Sequence, residues 1–535
     1  MRLAIVIFVP IGVAISLFWW WLGAPVATDA VANGRLYCVS YSPFRDEQTP
    51  LDLSTRIDPA EIEADLLRLS AITDCVRTYS VDFGLDRIAE IAARHNMKVI
   101  LGTWIGSDAV RNHREIATVT ALAKQFPGVI RAIVVGNECL LRGEISPSDL
   151  ANVIRNVKAQ VSVPVTYADV WEFWLRYREV YDAVDFVTIH VLPYWEDFPV
   201  AAGQAVSHLD EIRRKVATAF PAKEILIGEV GWPSAGRMRE GALPSPANQA
   251  RVIQNVLAWA EREHSRVNLI EAFDQSWKRE LEGTAGGHWG LLDGRSREPK
   301  FILGRPISNH PFWRPQAAGG VTLAALVLAA AAAASRRKLR INEPLMMRWA
   351  GVGVIALIAG ALVGWAIENV PLESLGVGGW ARSTVMAALA ILAPVGAAVA
   401  LMRRLKVPSF AQVLGRPADR PRDWLAVALA FGFAVLCVVA LESALGLVFD
   451  PRYRDFPFAP LSAAAVPFVI VSVAAGRPEG ERGLAETVMA AALAGSAVYV
   501  AINEGFANWQ SLWLCTVFLA IALTLFRARD VQNSG

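Results

Sequence analysis

Between residues 36 and 301 the chain alternates short apolar runs with amphipathic stretches, and this rhythm limits the possible folds more than any other feature. The apolar runs of strand length lie at 36–41, 74–79, 97–104, 130–137, 163–168, 185–191, 224–230 and 267–273. Helical patterns lie between them, at 58–71, 85–95, 109–126, 147–160, 205–220 and 247–263. Eight strands alternating with helices over about 265 residues are typical of a (β/α)8 barrel. A doubly wound open sheet usually has a glycine-rich first turn, and the turn after residue 41 has none.

The N-terminal apolar run, residues 1–23, begins with Arg2 and ends in a row of tryptophans. A run of this length can cross a bilayer, and tryptophan prefers the headgroup level. We therefore expect a retained transmembrane anchor. A cleaved signal peptide, with the small-residue site Ala-Val-Ala at 30–32, stays an alternative. Both interpretations export the residues that follow.

Beyond residue 317 the sequence is dominated by further spanning candidates, at 318–335, 347–368, 380–402, 424–447, 460–475, 484–502 and 509–526. Every second connection is rich in arginine and lysine, at 335–340, 403–422, 477–482 and from 527 onward. The positive-inside rule then places both termini in the cytoplasm and residues 24–316 outside it. The predicted organisation is an anchor at 1–23, an exported α/β domain with a (β/α)8 TIM barrel at 30–315, and an all-α polytopic transmembrane domain of about seven helices at 318–527.

Composition excludes several other classes of protein. The net charge is +2, and no basic stripe is interleaved with aromatics, so we expect no nucleic-acid partner. The exported region contains Cys38, Cys75 and Cys139 without CxxC spacing, and we expect buried free thiols there. A bridge between the first two cysteines is the alternative, because they lie on neighbouring predicted strands. Since no HExxH or similar ligand spacing is present, we expect no catalytic metal and no cofactor.

Two of the apolar runs end in a glutamate, Glu138 in one and Glu229 in the other. In a (β/α)8 barrel this edge of the strands carries the active site. Two carboxyl groups about 5–5.5 Å apart can cleave a glycosidic bond with retention, one as nucleophile and one as general acid. The acid must be protonated near neutral pH, so we expect its pKa to be raised by burial and a neighbouring charge. Asn137 is then expected to hydrogen-bond the sugar hydroxyl next to the reacting carbon.

Other side chains near the strand ends are candidates for binding substrate. Sugar rings stack on aromatic side chains, which favours contact with Tyr41, Tyr79, Tyr194, Trp232 and Trp277. Arg77 and Asp274 either orient the two acids or form a structural ion pair. A lone histidine such as His190, on the sixth strand, is more often a hydrogen-bonded core residue than a base.

Three motifs in this order resemble glycoside hydrolase family 17, the β-1,3-glucanase family. They are Val-Gly-Asn-Glu at 135–138, Gly-Glu-Val-Gly-Trp-Pro-Ser at 228–234, and the segment 271–278 followed by His-Trp-Gly-Leu-Leu at 288–292. The resemblance covers residues 36–303. It implies a (β/α)8 barrel, retention, Glu138 as acid/base and Glu229 as nucleophile, and it keeps Lys278 as a substrate-binding candidate. Gln275 stands where many plant members have a glutamate, so their substrate-binding details carry over less well.

The whole layout resembles that of bacterial membrane proteins described as β-(1→6)-glucan synthases. This resemblance implies a multi-pass protein of the bacterial inner membrane with its catalytic domain in the periplasm. It implies a β-1,3-glucan donor, a covalent glycosyl-enzyme, and transfer to a second glucan through a β-1,6 link. The expected partners are β-glucan and the lipid bilayer, with other glucan-synthesis or export proteins as further candidates. An endo-β-1,3-glucanase and a non-catalytic glucan-binding subunit of an export system remain the alternatives.

Overall fold

A computed structural model describes residues 2–28, 34–335, 343–414, 422–474 and 483–526 of the chain. The chain divides into two compact units. One unit is Val26–Ile307, and the other comprises Met1–Pro25 and Ser308–Gly535. The first unit is an α/β barrel, and the second is helical.

Eight parallel strands close the barrel in sequence order, and β1 pairs with β8. The strands are β1 (Cys38–Ser40), β2 (Cys75–Arg77), β3 (Lys98–Thr103), β4 (Ile130–Asn137), β5 (Val165–Val170), β6 (Val187–His190), β7 (Ile225–Val230) and β8 (Arg266–Leu269). Each strand overlaps its predicted apolar run. The predicted (β/α)8 barrel is therefore confirmed.

Helices follow the strands in the order that the alternating pattern predicts. Helix α1 (Arg2–Leu22) precedes the barrel in sequence, and the helices of the barrel unit are α2 (Pro59–Leu69), α3 (Ile88–Arg94), α4 (Ala109–Gln125), α5 (Pro147–Lys158), α6 (Trp171–Arg176), α7 (Arg178–Ala183), α8 (Ala205–Ala219), α9 (Pro246–Arg262) and α10 (Arg279–Gly286). The side chains of Asp58, Asp108, Ser146 and Ser245 cap α2, α4, α5 and α9. Such a cap stabilises a helix by about 1 kcal/mol relative to alanine. Polar residues thus define where these four helices begin, whereas α3 and α8 have no side-chain cap.

Two short helices, α6 and α7, were not among the predicted helical stretches. Each has only six residues, which is too short for a 3.6-residue repeat to show in the sequence. They are held by packing, because Trp174 and Val180 are almost completely buried. Tertiary contacts therefore decide this connection between β5 and β6.

A disulfide joins Cys38 of β1 to Cys75 of β2, which contradicts the expectation of free thiols at both positions. The pairing of Val39 with Val76 sets the two cysteines side by side, with Cα atoms 4.5 Å apart. Both side chains are buried in a cluster with residues from β3, β4, β5 and β7. The sequence places the cysteines on neighbouring strands, but it does not reveal that they occupy the same level and face. Cys139 is a buried free thiol, as expected.

The second unit is built from α1 and from the helices that follow the barrel. These are α11 (Trp313–Ser335), α12 (Glu343–Glu373), α13 (Gly376–Arg403), α14 (Phe410–Leu414), α15 (Trp424–Phe449), α16 (Phe458–Ala474), α17 (Leu484–Glu504) and α18 (Trp509–Phe526). Among the described residues, seven helices are long and apolar enough to cross a membrane: α1, α11, α12, α13, α15, α17 and α18. The remaining predicted span, α16, is an apolar helix of 17 residues. The prediction of an all-α region rich in apolar helices is confirmed.

Several predicted features lie outside the described residues. The alternative cleavage site at 30–32 is one of them. Parts of the basic connections are another, namely 336–340, 415–421, 477–482 and the tail from 527. The orientation that these connections predict therefore stays a prediction.

Candidate active site

Tight local geometry turns the chain at the end of β4 and presents Glu138. Gly136 and Glu138 have φ angles of 84° and 53°, in the left-handed region that glycine adopts readily. A Cβ atom on Gly136 would lie 2.6 Å from the sulfur of Cys139, so a larger residue does not fit there. The amide of Glu138 still donates to the carbonyl of Ala168 on β5, at 2.8 Å. The backbone thus anchors the residue while its side chain leaves the strand.

The second acid, Glu229, lies within β7, and its residue is only 4% exposed. Its predecessor Gly228 packs closely against β6. A Cβ atom at that position would approach the Thr188 side chain to 2.4 Å and the His190 ring to 3.1 Å. A side chain at Gly136 or at Gly228 would therefore clash with its neighbours, which explains why a glycine lies shortly before each acid.

The two carboxylates meet on either side of His190. Its Nδ1 lies 2.7 Å from Oε1 of Glu138, and its Nε2 lies 3.5 Å from Oε1 of Glu229. One ligand atom from each of these three residues lies within 4.8 Å of the other two. The carboxyl groups are therefore as close as the spacing of about 5–5.5 Å in retaining glycosidases requires.

Arg77 at the end of β2 is fully buried and contacts both acid-bearing strands. Its guanidinium donates to Oε1 of Glu229 at 3.1 Å, to the carbonyl of Gly228 at 2.7 Å, and to Oδ1 of Asn137. The hydroxyl of Tyr79 lies 2.9 Å from the same oxygen of Glu229. Charge-assisted bonds of this kind fix the orientation of a buried carboxylate. These contacts are compatible with both alternatives for Arg77, orienting an acid or forming a structural ion pair, and its role stays a prediction.

The electrostatics of Glu138 differ from the expectation. Burial raises the pKa of Glu138, but the hydrogen bond and charge of His190, together with Arg142 and Arg77, outweigh burial. The pKa of this carboxyl group therefore lies below its ordinary value, whereas the sequence predicted a raised pKa. The reason is the contact with His190, whose partner cannot be read from the chain.

Some predicted substrate-binding residues do reach the edge of the barrel that carries the acids. Asn137 and Tyr79 are half-buried beside Glu229 and Arg77. Lys278 follows β8 and donates to Oε1 of Glu271 at 2.8 Å. Trp277 is half-buried, with its indole nitrogen donating to Gln275 at 2.9 Å. Their contact with sugar stays a prediction.

The structure contradicts direct sugar contact for three predicted aromatics, because fully buried rings offer no face to a ligand. Trp232 and Tyr194 are 0% exposed, and their polar atoms donate to the carbonyls of Leu243 and Arg237. Tyr41 is equally buried, and its hydroxyl donates to Asp65. All three belong to the packed layer beneath the site.

Asp274 forms a structural ion pair, which was one of the two alternatives for this residue. Its carboxylate lies 2.7 Å from Nζ of Lys300 and accepts from the amide of Gly290 at 2.8 Å. Burial raises the pKa of Asp274, but Lys300 and His288 outweigh burial and hold that pKa below its ordinary value. The aspartate therefore ties the end of β8 to the closing segment of the barrel unit.

Sequence reasoning missed three residues at this edge. His190 is buried and hydrogen-bonded as expected, but its partners are the two acids themselves. Glu271 and Glu282 follow β8, and Glu271 is almost completely buried beside Lys278. The position of Glu271 just after an apolar run is the signal that singled out Glu138 and Glu229, and it applies here as well.

Glu138, His190 and Glu229 are also the cluster of described residues that comes closest to a metal site. The guanidinium of Arg77 donates to Glu229 and lies 3.4 Å from Nε2 of His190. A positive charge in contact with two of the three donors disfavours a divalent cation there. The donor set fits acid–base chemistry better than metal ligation.

Comparisons with known proteins identify the barrel. Residues 38–290 match the family model described as the BtgE/BtgC glycoside hydrolase domain. A glucan 1,3-β-glucosidase of Candida albicans is 28% identical over 291 residues, which cover 50% of this chain and 92% of that protein. A probable β-glucosidase of Neosartorya fischeri is 28% identical over 225 residues, which cover 41% of this chain and 40% of that protein.

Two of the solved structures that are similar to this chain come from Rhizomucor miehei and from Formosa. The glycoside hydrolase family 17 β-1,3-glucanosyltransferase of Rhizomucor miehei has a TM-score of 0.45 and 24% identity, covering 50% of this chain and 98% of that chain. An endo-laminarinase from Formosa has a TM-score of 0.42 and 21% identity, covering 50% of this chain and 85% of that chain. The family match and the curated relatives agree with the resemblance found in the motifs. The barrel at residues 38–290 thus matches the BtgE/BtgC glycoside hydrolase domain, and the chain that carries it is an enzyme of the glycoside hydrolase and transglycosylase class.

Proposed function

We propose that the protein is a membrane-bound, retaining β-glucan transglycosylase that uses a β-1,3-glucan donor and forms β-1,6 links. The observation that carries this proposal is the carboxylate pair, Glu138 and Glu229, within 4.8 Å at one edge of the barrel. The separation suits a nucleophile and an acid/base better than an inverting pair, which needs about 6.5–9.5 Å to admit a water molecule.

The first step forms a covalent glycosyl-enzyme. Both Arg77 and Tyr79 contact Oε1 of Glu229, which leaves Oε2 to attack the anomeric carbon. As the carbon–oxygen bond to the leaving group breaks, the protonated carboxyl group of Glu138 gives its proton to the leaving oxygen. Asn137, held by Arg77, presents its amide nitrogen to the neighbouring sugar hydroxyl. The products of this step are a glycosyl ester on Glu229 and a shortened glucan.

The second step releases Glu229. A hydroxyl group of the acceptor attacks the anomeric carbon, the ester bond breaks, and ionised Glu138 takes the proton of that hydroxyl. The lowered pKa of Glu138 suits this base role, because the contact with His190 favours the carboxylate. The same contact makes the proton needed in the first step available chiefly at acidic pH. We therefore expect an acidic optimum.

The donor linkage is supported by the curated relatives, which include a glucan 1,3-β-glucosidase. The half-buried rings of Trp104, Trp195 and Trp277 lie after β3, β6 and β8 and provide faces on which glucosyl rings can stack. Transfer through a β-1,6 link rests on the resemblance of the whole layout to β-(1→6)-glucan synthases. No nucleotide sugar is needed, since the energy of the new bond comes from the old one.

The location is supported by the disulfide and by the apolar helices. A bridge such as that between Cys38 and Cys75 forms in oxidising compartments, including the bacterial periplasm. Within the part of the chain that the structure describes, seven helices meet the length and composition of membrane spans, and the basic connections of the sequence favour a cytoplasmic side opposite the barrel. We propose a multi-pass protein of the bacterial inner membrane with the barrel in the periplasm.

The full-length protein in detergent micelles, incubated with β-1,3-gluco-oligosaccharides, tests this proposal. Mass spectrometry and NMR of the products separate the three candidate functions. Products longer than the substrate with new β-1,6 links support transfer, and shorter products alone support the endo-β-1,3-glucanase. Equal behaviour of the native protein and the E229Q variant, with oligosaccharide bound but unchanged, supports a glucan-binding subunit.

A further inference from the structure

Glu138 begins a four-residue turn, and strand β5 holds this turn in place. We call residues 138–141 the acid turn. Its first amide donates to the carbonyl of Ala168 at 2.8 Å, which continues the pairing of β4 with β5. Its third amide donates to the hydroxyl of Tyr167 at 3.0 Å, and its fourth amide lies 3.4 Å from Oδ2 of Asp169. Three consecutive residues of β5 therefore accept hydrogen bonds from the acid turn.

Tyr167 and Asp169 form a buried pair on one face of β5. Residues two apart on a strand point to the same face, and both of these are at most 1% exposed. The hydroxyl of Tyr167 donates to Oδ2 of Asp169. A tyrosine hydroxyl has one hydrogen, so this donation leaves its lone pairs to accept the amide of Leu140. The carboxylate thus fixes the direction of the hydroxyl, and the hydroxyl fixes the backbone of the turn.

The ring of Tyr167 is itself closely packed. A Cβ atom on Gly136 would lie 3.4 Å from this ring, so the backbone of β4 passes directly beside it. The ring of Trp174 lies 5.7 Å away, centroid to centroid, and its indole nitrogen donates to the carbonyl of Thr188 at 2.8 Å. Closely packed interiors leave little freedom for a side chain to shift. The hydroxyl is therefore a fixed point against which the acid turn is set.

The position of the Glu138 carboxyl group depends on this turn. Its residue has a φ angle of 53°, a conformation that a residue other than glycine keeps only when its surroundings impose it. A general acid must lie within about 2.6–3.2 Å of the atom that it protonates, so a small shift of the turn interrupts proton transfer. Glu229 has separate support, because Arg77 and Tyr79 contact its carboxylate. A displaced acid turn would therefore impair the acid and spare the nucleophile.

We propose that Tyr167 and Asp169 are positioning residues, which set the acid turn and thereby aim the carboxyl group of Glu138 at the leaving oxygen. Both side chains are buried, so they act through the amides of the turn and not by contact with substrate. The expected defect of a variant is then confined to proton transfer. This inference rests on the proposed function, in which Glu138 is the acid/base.

The test measures kcat/KM of the full-length protein for two donors that differ in their need for an acid. One is a β-1,3-gluco-oligosaccharide, whose leaving oxygen must be protonated. The other is the same oligosaccharide with a dinitrophenyl aglycone, which departs as a phenolate without a proton. Because kcat/KM covers only the steps up to the glycosyl-enzyme, the later base step does not enter the comparison.

The informative variant is Y167F, with E138Q as the reference for loss of the acid. A general acid contributes about 10²–10⁴-fold, and we expect Y167F to forfeit roughly 10- to 100-fold with the plain oligosaccharide but less than about threefold with the dinitrophenyl donor. E138Q should show the same selectivity more strongly. Y37F is the matched control, because Tyr37 lies directly before β1, at the opposite edge of the barrel, and both donors should stay within about twofold.

A second variant, D169N, tests the same pair should Y167F not fold. Asparagine keeps the shape of the side chain but offers one acceptor oxygen, whereas Asp169 accepts from the tyrosine with one oxygen and from the amide of Val170 with the other. We expect the same selectivity between the donors with a smaller loss.

Equal losses with both donors, together with a lower melting temperature, would show a merely structural pair and overturn the inference. Native rates with both donors in Y167F would overturn it as well. Failure of the proposed function gives a different result. A native protein that consumes neither donor, or an E138Q variant that loses both donors equally, would refute Glu138 as the acid, and the inference would fall with it.

Discussion

Arg77 offers the sharpest test of how the site is assembled, through substitution by methionine. The native guanidinium is fully buried. It donates hydrogen bonds to Glu229 at 3.1 Å, to the carbonyl of Gly228 at 2.7 Å, and to Asn137. Methionine of similar length would leave the carboxylate buried at 4% exposure without its cation. Removing one partner of a buried ion pair costs about 3–5 kcal/mol. Because Glu229 has to be ionised and oriented to react, we expect this cost to appear in kcat/KM as a fall of roughly 150- to 5,000-fold, at 1.36 kcal/mol per factor of ten.

The assay is the rate of β-1,3-gluco-oligosaccharide consumption by full-length R77M, R77K and R87M. Lysine keeps the charge but lacks the planar fork with which Arg77 reaches Glu229 and Asn137 from separate nitrogens, so R77K should recover only part of the loss. Arg87 pairs with Glu90 at the surface, and R87M should therefore stay within about threefold of the native rate. A loss below tenfold in R77M, with the protein still folded, would refute the role assigned to Arg77.

Three further predictions concern pH and stability. H190Q removes the contact that holds the pKa of Glu138 low, so the alkaline limb of the kcat/KM profile should move to higher pH; an unmoved limb would show that Glu138 is not the acid. Substituting both Cys38 and Cys75 by serine should lower the free energy of unfolding by about 2–4 kcal/mol while KM is unchanged, which thermal melts and kinetics check together. Burial raises the pKa of Glu115 to about 7, so between about pH 4.3 and 7 the folded state binds the extra proton and stability falls as pH rises. E115Q should flatten this part of the melting profile, and an unchanged slope would contradict the assignment.

Barrel architecture is predictable here because it is encoded locally. Each strand is a short apolar run, and residues such as Asp58 and Ser245 mark helix starts through hydrogen bonds within the same turn. The two acids could be found for the same reason, since Glu138 and Glu229 follow apolar runs and a (β/α)8 barrel gathers all such positions at one edge. The local hydrophobic pattern, together with the rule that a (β/α)8 barrel gathers its strand ends at one edge, is therefore sufficient to predict the fold and the two acids.

What the sequence could not predict depends on depth and register. Tyr41, Tyr194 and Trp232 lie at strand ends, but whether a ring faces the cleft or the layer beneath it is set by packing from several elements. The pairing of Val39 with Val76, which aligns the bridged cysteines, is likewise invisible in the chain. Long-range partners decide these features, and no short motif carries them.

The electrostatics of the site show the same limit. His190 lies 52 residues from Glu138 in sequence, and their contact reverses the direction of the pKa shift that burial alone would give. The direction of a pKa shift depends on which charged groups lie next to the carboxyl group, and those neighbours are known only from the folded structure.

The central claim is that Glu229 attacks the anomeric carbon and carries the sugar. A 2-deoxy-2-fluoro-β-glucosyl fluoride extended by a β-1,3-linked glucose should form the covalent intermediate and release it slowly. Peptide mass spectrometry of the full-length protein is expected to place the added sugar on Glu229, with no addition in E229Q and continued labelling in E138Q. Sugar attached to a different residue, or a native protein that turns over oligosaccharides without ever becoming labelled, would contradict the account.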